Sequence, residues 1–383
     1  MEISLVSILL NNAVLHGQKY QNGWQDDVLP TLYRFIFMSK VLMVGSAEQS
    51  GGGVASVLRL MKTMPFWKKY QCGWLGTQIQ RGYGVKLWYA LKAYAKALFT
   101  IWRYDIVHFH TVPDKICLVI QMPVLLLALL GRKKIVMQIH MGNQLEEHTH
   151  NNFFFWCLNR ADCVVLLAKK WQRLFAELYP MVRVRTAVIY NACAPTPAVD
   201  YSIKEKSIIF AAFLNDNKHP DLLLKAWKAL RDDYPDWHVT IMGNGEVERF
   251  QTMAHEMGLD DSVTFTGYIT GKQKEDVWNK ASIYCMCSRH EGFPMVVLEA
   301  WARGIAVVTT PVGGLPDVIE EGKNCLTFPF GDAEALSKQL RRLMDSAVLR
   351  RDMAEYSKIF GEEKFAPKKI NESIEKLYGE ILR

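Results

Sequence analysis

The sequence predicts an α/β protein with two doubly wound domains, in each of which helices cover both faces of a parallel sheet. The length of 383 residues exceeds what one compact core of ordinary size holds and suits two domains. Half of the residues are hydrophobic and 22% are charged, which is typical of packed cores and excludes a disordered chain. Both halves repeat a β-branched apolar run, a loop and an amphipathic helix, an alternation that produces parallel sheets.

Short apolar runs bounded by turn residues are the predicted strands. In the first half of the chain they cover residues 40–45, 105–110, 134–140, 163–167 and 184–190. In the second half they cover residues 207–212, 238–242, 263–265, 283–286, 306–309 and 324–328.

The domain boundaries follow from these elements. We expect an N-terminal domain at residues 38–192, a linker with two prolines at residues 193–203 and a C-terminal domain at residues 204–360. Residues 361–383 are expected to form a helix that returns to the N-terminal domain. For residues 1–37 two interpretations stay open, an additional helix and a true start of the protein at Met38.

The net charge of +7 is unevenly distributed. Residues 1–191 contain 22 Lys and Arg against 10 Asp and Glu, whereas residues 192–383 contain 24 against 29. A basic half favours an anionic partner. We expect a phosphate group or an anionic lipid and no nucleic acid, because the sequence has no zinc-finger spacing, RNA-binding aromatic signature or basic block.

Cysteine usage and apolar runs predict a cytoplasmic protein without a transmembrane helix. The eight cysteines are irregularly spaced and the first residues lack a charged signal-peptide region, so we expect reduced thiols. The longest apolar run, residues 116–130, is interrupted by Gln121 and Pro123 and is shorter than the ~20 residues that a membrane span needs.

The most informative segment follows the strand predicted at residues 283–286. Pro294 suits the first position of a helix, whose free amides from Met295 onward would bind an anion at the end of a parallel strand. Glu291 would then lie just before the helix and Glu299 about five residues inside it, which at about 1.5 Å per residue separates them by roughly 7–8 Å along the axis, enough to span a diphosphate. The alternative interpretation is a capping Glu291 and a solvated Glu299.

This segment, with the run EGFPMVVLEA, resembles the signature of the retaining GT-B glycosyltransferases of the family-4 type, two Glu separated by seven residues. The resemblance implies the GT-B architecture, two Rossmann-like domains facing an interdomain cleft, with the acceptor bound by the N-terminal domain and the nucleotide-sugar donor by the C-terminal one. It also implies that Glu291 lies against the donor sugar and that Glu299 binds the ribose. The donor's sugar and phosphates would contact the intervening segment, namely Gly292, Phe293, Pro294, Met295 and Val296.

Further matches place a glycine-rich loop and a basic side chain at the donor. Gly52 and Gly53 lie before a predicted helix at residues 54–64, where backbone amides can approach a phosphate; a flexible turn is the alternative. Lys218 matches the family's lysine that neutralises the diphosphate leaving group. Phe213 stands where the family has an arginine, and Arg289 is a candidate substitute.

Other matches lie at strand ends. Gly243 and Gly245 resemble a turn near the nucleotide, and Tyr268 follows a turn that resembles the one whose backbone reads the base. His140, at a strand end, matches the family's interdomain histidine, which contacts the donor sugar. A hydrogen-bonded structural histidine is the alternative. The candidate catalytic residues are thus Glu291, His140 and Lys218.

No metal or cofactor is expected. The histidine and cysteine pairs lack metal-ligand spacing, and no Asp-x-Asp pair occurs. The glycine-rich loop does not have the G-x-G-x-x-G pattern of nicotinamide-binding proteins.

A helix predicted over residues 86–104 is dense in aromatic residues and lysines. It suits either a surface helix on anionic lipid or a helix packed on the sheet, and both interpretations stay open.

Together these features predict a retaining transferase that moves a hexosyl group from a nucleotide-sugar to a glycan or lipid-linked acceptor, in surface polysaccharide or glycolipid synthesis. Two alternatives remain: a non-catalytic nucleotide-sugar-binding subunit, which the missing arginine suggests, and a sugar-nucleotide epimerase, which would share the fold without the two-Glu signature.

Overall fold

A computed structural model of the chain describes residues 39–79, 82–149, 151–196 and 199–383. The predicted extension at residues 1–37 lies outside these ranges. The described part contains two six-stranded parallel sheets with helices between the strands, which confirms the predicted α/β class.

The first sheet has the strand order β2-β1-β3-β4-β5-β6. Its strands are β1 (Val41–Ser46), β2 (Gly73–Gln78), β3 (Ile106–Thr111), β4 (Lys134–Ile139), β5 (Cys163–Leu166) and β6 (Arg185–Val188). The helices along this half are α1 (Gly53–Lys62), α2 (Pro65–Lys69), α3 (Tyr83–Thr100), α4 (Lys115–Leu130), α5 (Asn152–Leu158) and α6 (Lys169–Leu178).

The second sheet has the order β12-β11-β10-β7-β8-β9. Its strands are β7 (Ser207–Ala211), β8 (His238–Met242), β9 (Val263–Gly267), β10 (Ile283–Met286), β11 (Ala306–Thr309) and β12 (Leu326–Thr327). The helices are α7 (Pro220–Lys228), α8 (Val247–Glu256), α9 (Gly271–Lys280), α10 (Met295–Ala302), α11 (Ala333–Asp345), α12 (Ala347–Phe365) and α13 (Pro367–Ile381).

Strand β2 is absent from the sequence prediction, whereas the other strands lie within two residues of their predicted ends. Its sequence contains Gly73 and Gly76, which weaken any strand pattern. Both glycines have a packing reason. A Cβ on Gly73 would lie 2.1 Å from the Tyr104 hydroxyl, and one on Gly76 would lie 2.6 Å from the Cα of Ala47.

The last helix, α13, packs against the first sheet although the chain before it runs along the second. Ile374 and Tyr378 of this helix are buried in one cluster with Met43 of β1. The side-chain oxygen of Asn371 accepts a hydrogen bond from the amide of Phe66 at 2.7 Å.

The two sheets meet along the loops at the carboxyl ends of their strands. The indole nitrogen of Trp171 in α6 donates to the carbonyl of Gly292 at 2.9 Å, and the amide side chain of Asn191 donates to the carbonyl of Phe293 at 2.8 Å. The backbone amide of Lys170 donates to the Asp317 carboxylate at 2.6 Å. The first two bonds hold the loop after β10, and the third holds the loop after β11, against the first half of the chain. No helix in the described ranges is both long and apolar enough to cross a membrane.

Candidate active site

Lys218 and Glu291 form an ion pair at the carboxyl edge of the second sheet. Lys218 lies in the loop between β7 and α7, and Glu291 lies in the loop between β10 and α10. Because β7 and β10 are neighbours in a parallel sheet, the two loops leave the same edge side by side. The Lys218 ammonium donates to Oε1 of Glu291, and the Ser288 hydroxyl donates to the same oxygen at 2.7 Å. Glu291 is 9% exposed, so its carboxylate is held in a fixed position.

Asn217 joins the same two loops through its side chain and backbone. Its side-chain oxygen accepts from the amide of His290 at 3.0 Å, and its side-chain nitrogen donates to the carbonyl of His290 at 3.1 Å. The backbone carbonyl of Asn217 accepts from the amide of Arg289 at 2.8 Å. Asn217 thus sets the spacing between Lys218 and Glu291. Neither Asn217 nor Ser288 stands out in the sequence.

The predicted glycine turn after β8 has a close-packing reason. A Cβ on Gly243 would lie 1.7 Å from the carbonyl oxygen of Ala212, and one on Gly245 would lie 2.2 Å from that of Leu214. Both glycines also have positive φ, where an L side chain is strained. The turn therefore lies directly against the loop that leads to Lys218. Tyr268, after β9, exposes its side chain to solvent.

Helix α10 begins at Met295, one residue later than expected. Pro294 is the N-cap in an extended conformation (φ −71°, ψ 114°) and not the first helical residue, which corrects the prediction. The N-terminus of the helix still lies at the carboxyl end of β10, because β10 ends at Met286 and α10 begins at Met295. Met295 and Val296 form its first turn, whose amides are the predicted anion-binding groups.

The Phe293 side chain is buried and does not face the solvent. It is buried against the rings of Tyr190 and Phe365, with ring centroids 5.2 and 5.5 Å away. Only the backbone of this residue is therefore left for the donor contact that the sequence analysis expects.

Glu299 lies in a network of charged groups that the sequence did not predict. The Lys274 ammonium of α9 is 2.6 Å from its Oε1, and the Arg303 guanidinium is 3.5 Å from the same atom. Arg303 also donates to both carboxylate oxygens of Glu275 at 2.8 Å. Lys274 and Arg303 each lie 5.6 Å from the centre of the Trp278 ring. The alternative of a freely solvated Glu299 is therefore wrong.

Arg289 and the glycine-rich loop are both exposed to solvent. Arg289 is exposed, with its guanidinium 5.9 Å from the ring centre of Phe330, and Phe213 is exposed as well. Gly52 caps α1 with a φ of 93°, which favours glycine, and α1 begins at Gly53. The Gly52 carbonyl accepts from the Ser56 hydroxyl at 3.1 Å.

His140 follows β4 of the first sheet and lies against the Glu291 loop. Its carbonyl oxygen is so close to Gly292 that a Cβ there would come within 1.7 Å of it. Its Nε2 is 3.0 Å from Nδ1 of His110, whose ring stacks on His108, and His108 contacts the Tyr378 hydroxyl at 2.7 Å. Burial lowers the pKa of His140 to about 4, so its ring is neutral near pH 7. It can therefore donate or accept a hydrogen bond without carrying charge.

The structure thus brings Glu291, Lys218, Gly292 and His140 together. In the described ranges, no group of three or more His, Cys, Asp or Glu is arranged to hold a metal ion. The paired Lys218 ammonium has three donors, so it can keep Glu291 and still face an oxyanion. The arrangement suits a ligand with a hydroxyl-bearing group near Glu291 and an anionic group near Lys218.

Comparison with known families covers most of both halves. The family model described as Glycosyl transferases group 1 matches residues 200–360, and the one described as Glycosyltransferase Family 4 matches residues 76–196.

The chain is similar to curated relatives over part of their length. An exopolysaccharide phosphotransferase of Streptomyces coelicolor is 30% identical over 224 residues, 58% of this chain and 24% of that protein. A D-inositol 3-phosphate glycosyltransferase of Corynebacterium jeikeium is 32% identical over 186 residues, 46% of this chain and 44% of that protein. The matched part of the chain spans less than half the length of either relative.

Solved structures share the fold along nearly the whole chain. HepE of Anabaena, crystallised with UDP-glucose, superposes with a TM-score of 0.69 over 89% of this chain and 99% of that one, at 17% identity. That likeness shows two Rossmann-like domains facing a cleft, the GT-B fold. With one family model on each domain and this architecture, the chain belongs to the GT-B glycosyltransferases of the family-4 type.

Proposed function

We propose that the chain transfers a hexosyl group from a nucleotide-diphosphate sugar to a hydroxyl of a glycan or lipid-linked acceptor, with retention at the anomeric carbon. The observation that carries the proposal is the Lys218–Glu291 pair facing the loop of His140. Glu291 is buried at 9% exposure and fixed by Ser288, so it can accept hydrogen bonds from sugar hydroxyls at one place.

In this proposal the diphosphate lies between Lys218 and the first turn of α10. Lys218 and the helix amides stabilise the negative charge that develops on the leaving diphosphate. Arg289, exposed two residues before Glu291, is the second cation in place of the arginine that Phe213 replaces. Glu299 accepts from the ribose hydroxyls, and Lys274 and Arg303 hold its carboxylate in place.

The step we propose occurs on one face of the sugar. The bond between the anomeric carbon and the phosphate oxygen breaks, and the acceptor oxygen bonds to the same carbon from the same side. The acceptor proton passes to an oxygen of the departing diphosphate. No protein nucleophile or metal takes part, and His140 contributes a neutral hydrogen bond to the sugar.

The acceptor side is assigned to the basic N-terminal half, and the reaction to surface polysaccharide or glycolipid synthesis. The relatives named above act on an exopolysaccharide and on D-inositol 3-phosphate by their names, which supports a hydroxyl-rich acceptor. The eight free thiols support a reducing compartment, and we place the reaction at the cytoplasmic face of the membrane.

The test is a transfer assay with radiolabelled UDP-, GDP- and ADP-sugars and a membrane lipid extract. We expect label to enter the extract with one donor and transfer to be lost in Glu291→Ala. The matched control is Glu334→Ala, an exposed carboxylate of α11. Transfer by Glu291→Ala at the wild-type rate would refute the assignment.

Phe213, which is exposed where the family has an arginine, favours a second candidate function, that of a non-catalytic subunit that binds nucleotide-sugars. This candidate predicts donor binding without turnover. Hydrolysis or transfer of the donor would exclude it, and a product with changed sugar stereochemistry on an intact nucleotide would instead indicate an epimerase.

A further inference from the structure

Helix α3 buries its small residues and exposes its large ones. The residues that face the sheet are Ala90, Ala93 and Ala97, each under 5% exposed. The opposite face presents Leu87, Trp88, Leu91, Leu98 and Phe99, of which Trp88 is 67% and Phe99 75% exposed. A helix that only covers a sheet has the reverse distribution, with its large apolar side chains inside. Covering the sheet therefore does not account for this sequence.

Helix α4 extends the apolar surface. It runs beside α3 in the same direction, because the Tyr94 hydroxyl donates to the carbonyl of Ile120 at 2.8 Å and the Lys133 ammonium donates to that of Trp102 at 3.0 Å. Four exposed apolar side chains of α4 fall on one helical face, at spacings of three, seven and four residues: Ile116, Val119, Leu126 and Leu130. We call these residues, with the exposed ones of α3, the α3–α4 face. Contiguous apolar surface of this kind marks an interaction site.

The charges on the two helices are all positive, and Asp105 and Asp114 lie just outside them. Residues 84–104 and 115–134 contain no Asp or Glu. Lys92, Lys96 and Arg103 are exposed on or next to α3, Lys115 is the first residue of α4 and Arg132 follows that helix. Large apolar side chains among Lys and Arg, on helices that carry no acidic residue, match the interface of a bilayer with anionic headgroups.

The α3–α4 face adjoins the predicted acceptor side of the cleft. The Tyr89 hydroxyl of α3 donates to the side-chain oxygen of Gln49 at 3.1 Å, three residues before Gly52. A bilayer on this face would therefore lie next to the glycine-rich loop.

We propose that the α3–α4 face docks on an anionic lipid bilayer, with Trp88 and Phe99 inserted among the acyl chains and the lysines on the headgroups. Docking needs only this face, whereas its role in bringing a lipid-linked acceptor to the cleft rests on the proposed function. Docking through exposed side chains and charge attraction would be reversible and dependent on salt.

The test is co-sedimentation of the full chain with vesicles of phosphatidylcholine alone or with about 30% phosphatidylglycerol. We expect at least about tenfold stronger partitioning onto the anionic vesicles and a loss of about fivefold for each of Lys92→Glu and Lys96→Glu. The double variant Trp88→Ser/Phe99→Ser should lose at least about tenfold. The matched control Val348→Ser/Ile359→Ser removes two exposed apolar side chains of α12 and should bind as wild type.

Equal binding to both vesicle types, or wild-type binding by Trp88→Ser/Phe99→Ser, would overturn the proposal. A dimer of the wild-type chain that does not bind vesicles, and that Trp88→Ser/Phe99→Ser converts to a monomer in light scattering, would also overturn it. The face would then join two copies of the chain. Binding of the nucleotide-sugar measured in the absence of lipid tests the proposed function independently of membrane docking. Glu291→Ala should bind vesicles normally, and Trp88→Ser/Phe99→Ser should bind the nucleotide-sugar normally.

Discussion

Gly292 and His140 are in contact across the two halves of the chain, so closely that a Cβ on Gly292 would lie 1.7 Å from the His140 carbonyl oxygen. The carbonyl oxygen of Gly292 itself accepts a hydrogen bond from the Trp171 indole at 2.9 Å and another from the amide of Gly314 at 2.8 Å. The backbone after Glu291 is therefore fixed on three sides. The glycine next to Glu291 serves packing between the sheets as well as any contact with a donor.

Gly292→Ala should misplace the Glu291 loop. The added methyl group meets backbone, which cannot rotate away, so the two halves must separate locally. We expect destabilisation of about 1–3 kcal/mol in urea unfolding and at least about a hundredfold loss of transfer. The control is Gly379→Ala in α13, where an added Cβ meets nothing within 4 Å and helix propensity predicts unchanged or slightly higher stability. Wild-type transfer by Gly292→Ala would contradict this account of the contact.

Lys218→Met should weaken binding of the nucleoside diphosphate but not of the parent nucleoside. Only the diphosphate reaches the ammonium, and a charge-assisted hydrogen bond contributes about 1.5–3 kcal/mol, about ten- to a hundredfold in affinity. Calorimetric titration with both ligands measures the difference. Lys338→Met, on the exposed face of α11, is the control. An equal loss for both ligands would mean that Lys218 acts on the fold and not on the phosphates.

Asn217→Ala should reduce turnover more than stability. The variant removes the two side-chain bonds to His290 while the backbone bond to Arg289 remains, so we expect a cost of about 1–2 kcal/mol in unfolding. The altered spacing between Lys218 and Glu291 should lower kcat about tenfold or more with less change in the KM for the donor. The control Asn159→Ala removes one bond to the carbonyl of Phe155 on an exposed helix end. A change in stability alone would show that Asn217 has no positioning role.

The buried histidines predict a loss of stability in mild acid. Burial lowers the pKa of His108 to about 3 and that of His140 to about 4, and the pKa of His110 is lowered well below its usual value. In the unfolded chain these groups titrate near 6.5, so below that pH the unfolded state binds more protons. Their contribution is complete above about pH 6.5 and decreases towards pH 4, by up to about 1.4 kcal/mol per pH unit for each histidine.

Urea unfolding at several pH values between 7.5 and 5 measures this slope. His110→Gln should flatten it, whereas the exposed His255→Gln should leave it unchanged. An unchanged slope in His110→Gln would show that His110 is already protonated in the folded protein or titrates elsewhere.

Sequence periodicity was sufficient for most strands because buried parallel strands are short β-branched runs between loops. It failed at β2, where Gly73 and Gly76 are required by the close approach of Tyr104 and Ala47 from other parts of the chain. That requirement is a tertiary contact, and no local pattern records it.

The site was predictable only in part. Glu291 is predictable from its spacing to Glu299 and from the resemblance, and Lys218 from the resemblance alone. Asn217 acts through hydrogen bonds to a loop more than 70 residues away, and Ser288 acts within a short polar turn that has no sequence pattern. For Glu299, the partner Lys274 depends on how α9 packs beside α10, whereas Arg303 lies four residues later at the end of the same helix, a local spacing that the sequence shows. The helix at residues 86–104 had two interpretations, and only the exposure of Trp88 and Phe99 distinguishes its two faces.

The central claim is that one pocket binds a diphosphate between two sugars, with Glu291 on one side and Glu299 on the other. Titration calorimetry of the full chain with UDP-, GDP- and ADP-sugars tests it most directly, with Glu291→Ala, Glu299→Ala and the control Glu334→Ala. We predict saturable binding of one nucleotide class, weakened at least about tenfold by Glu299→Ala for the nucleotide-sugar and for the free nucleotide, and by Glu291→Ala for the nucleotide-sugar alone. Absence of binding by the wild-type chain to any of the three classes, or equal affinities in all three variants, would contradict it.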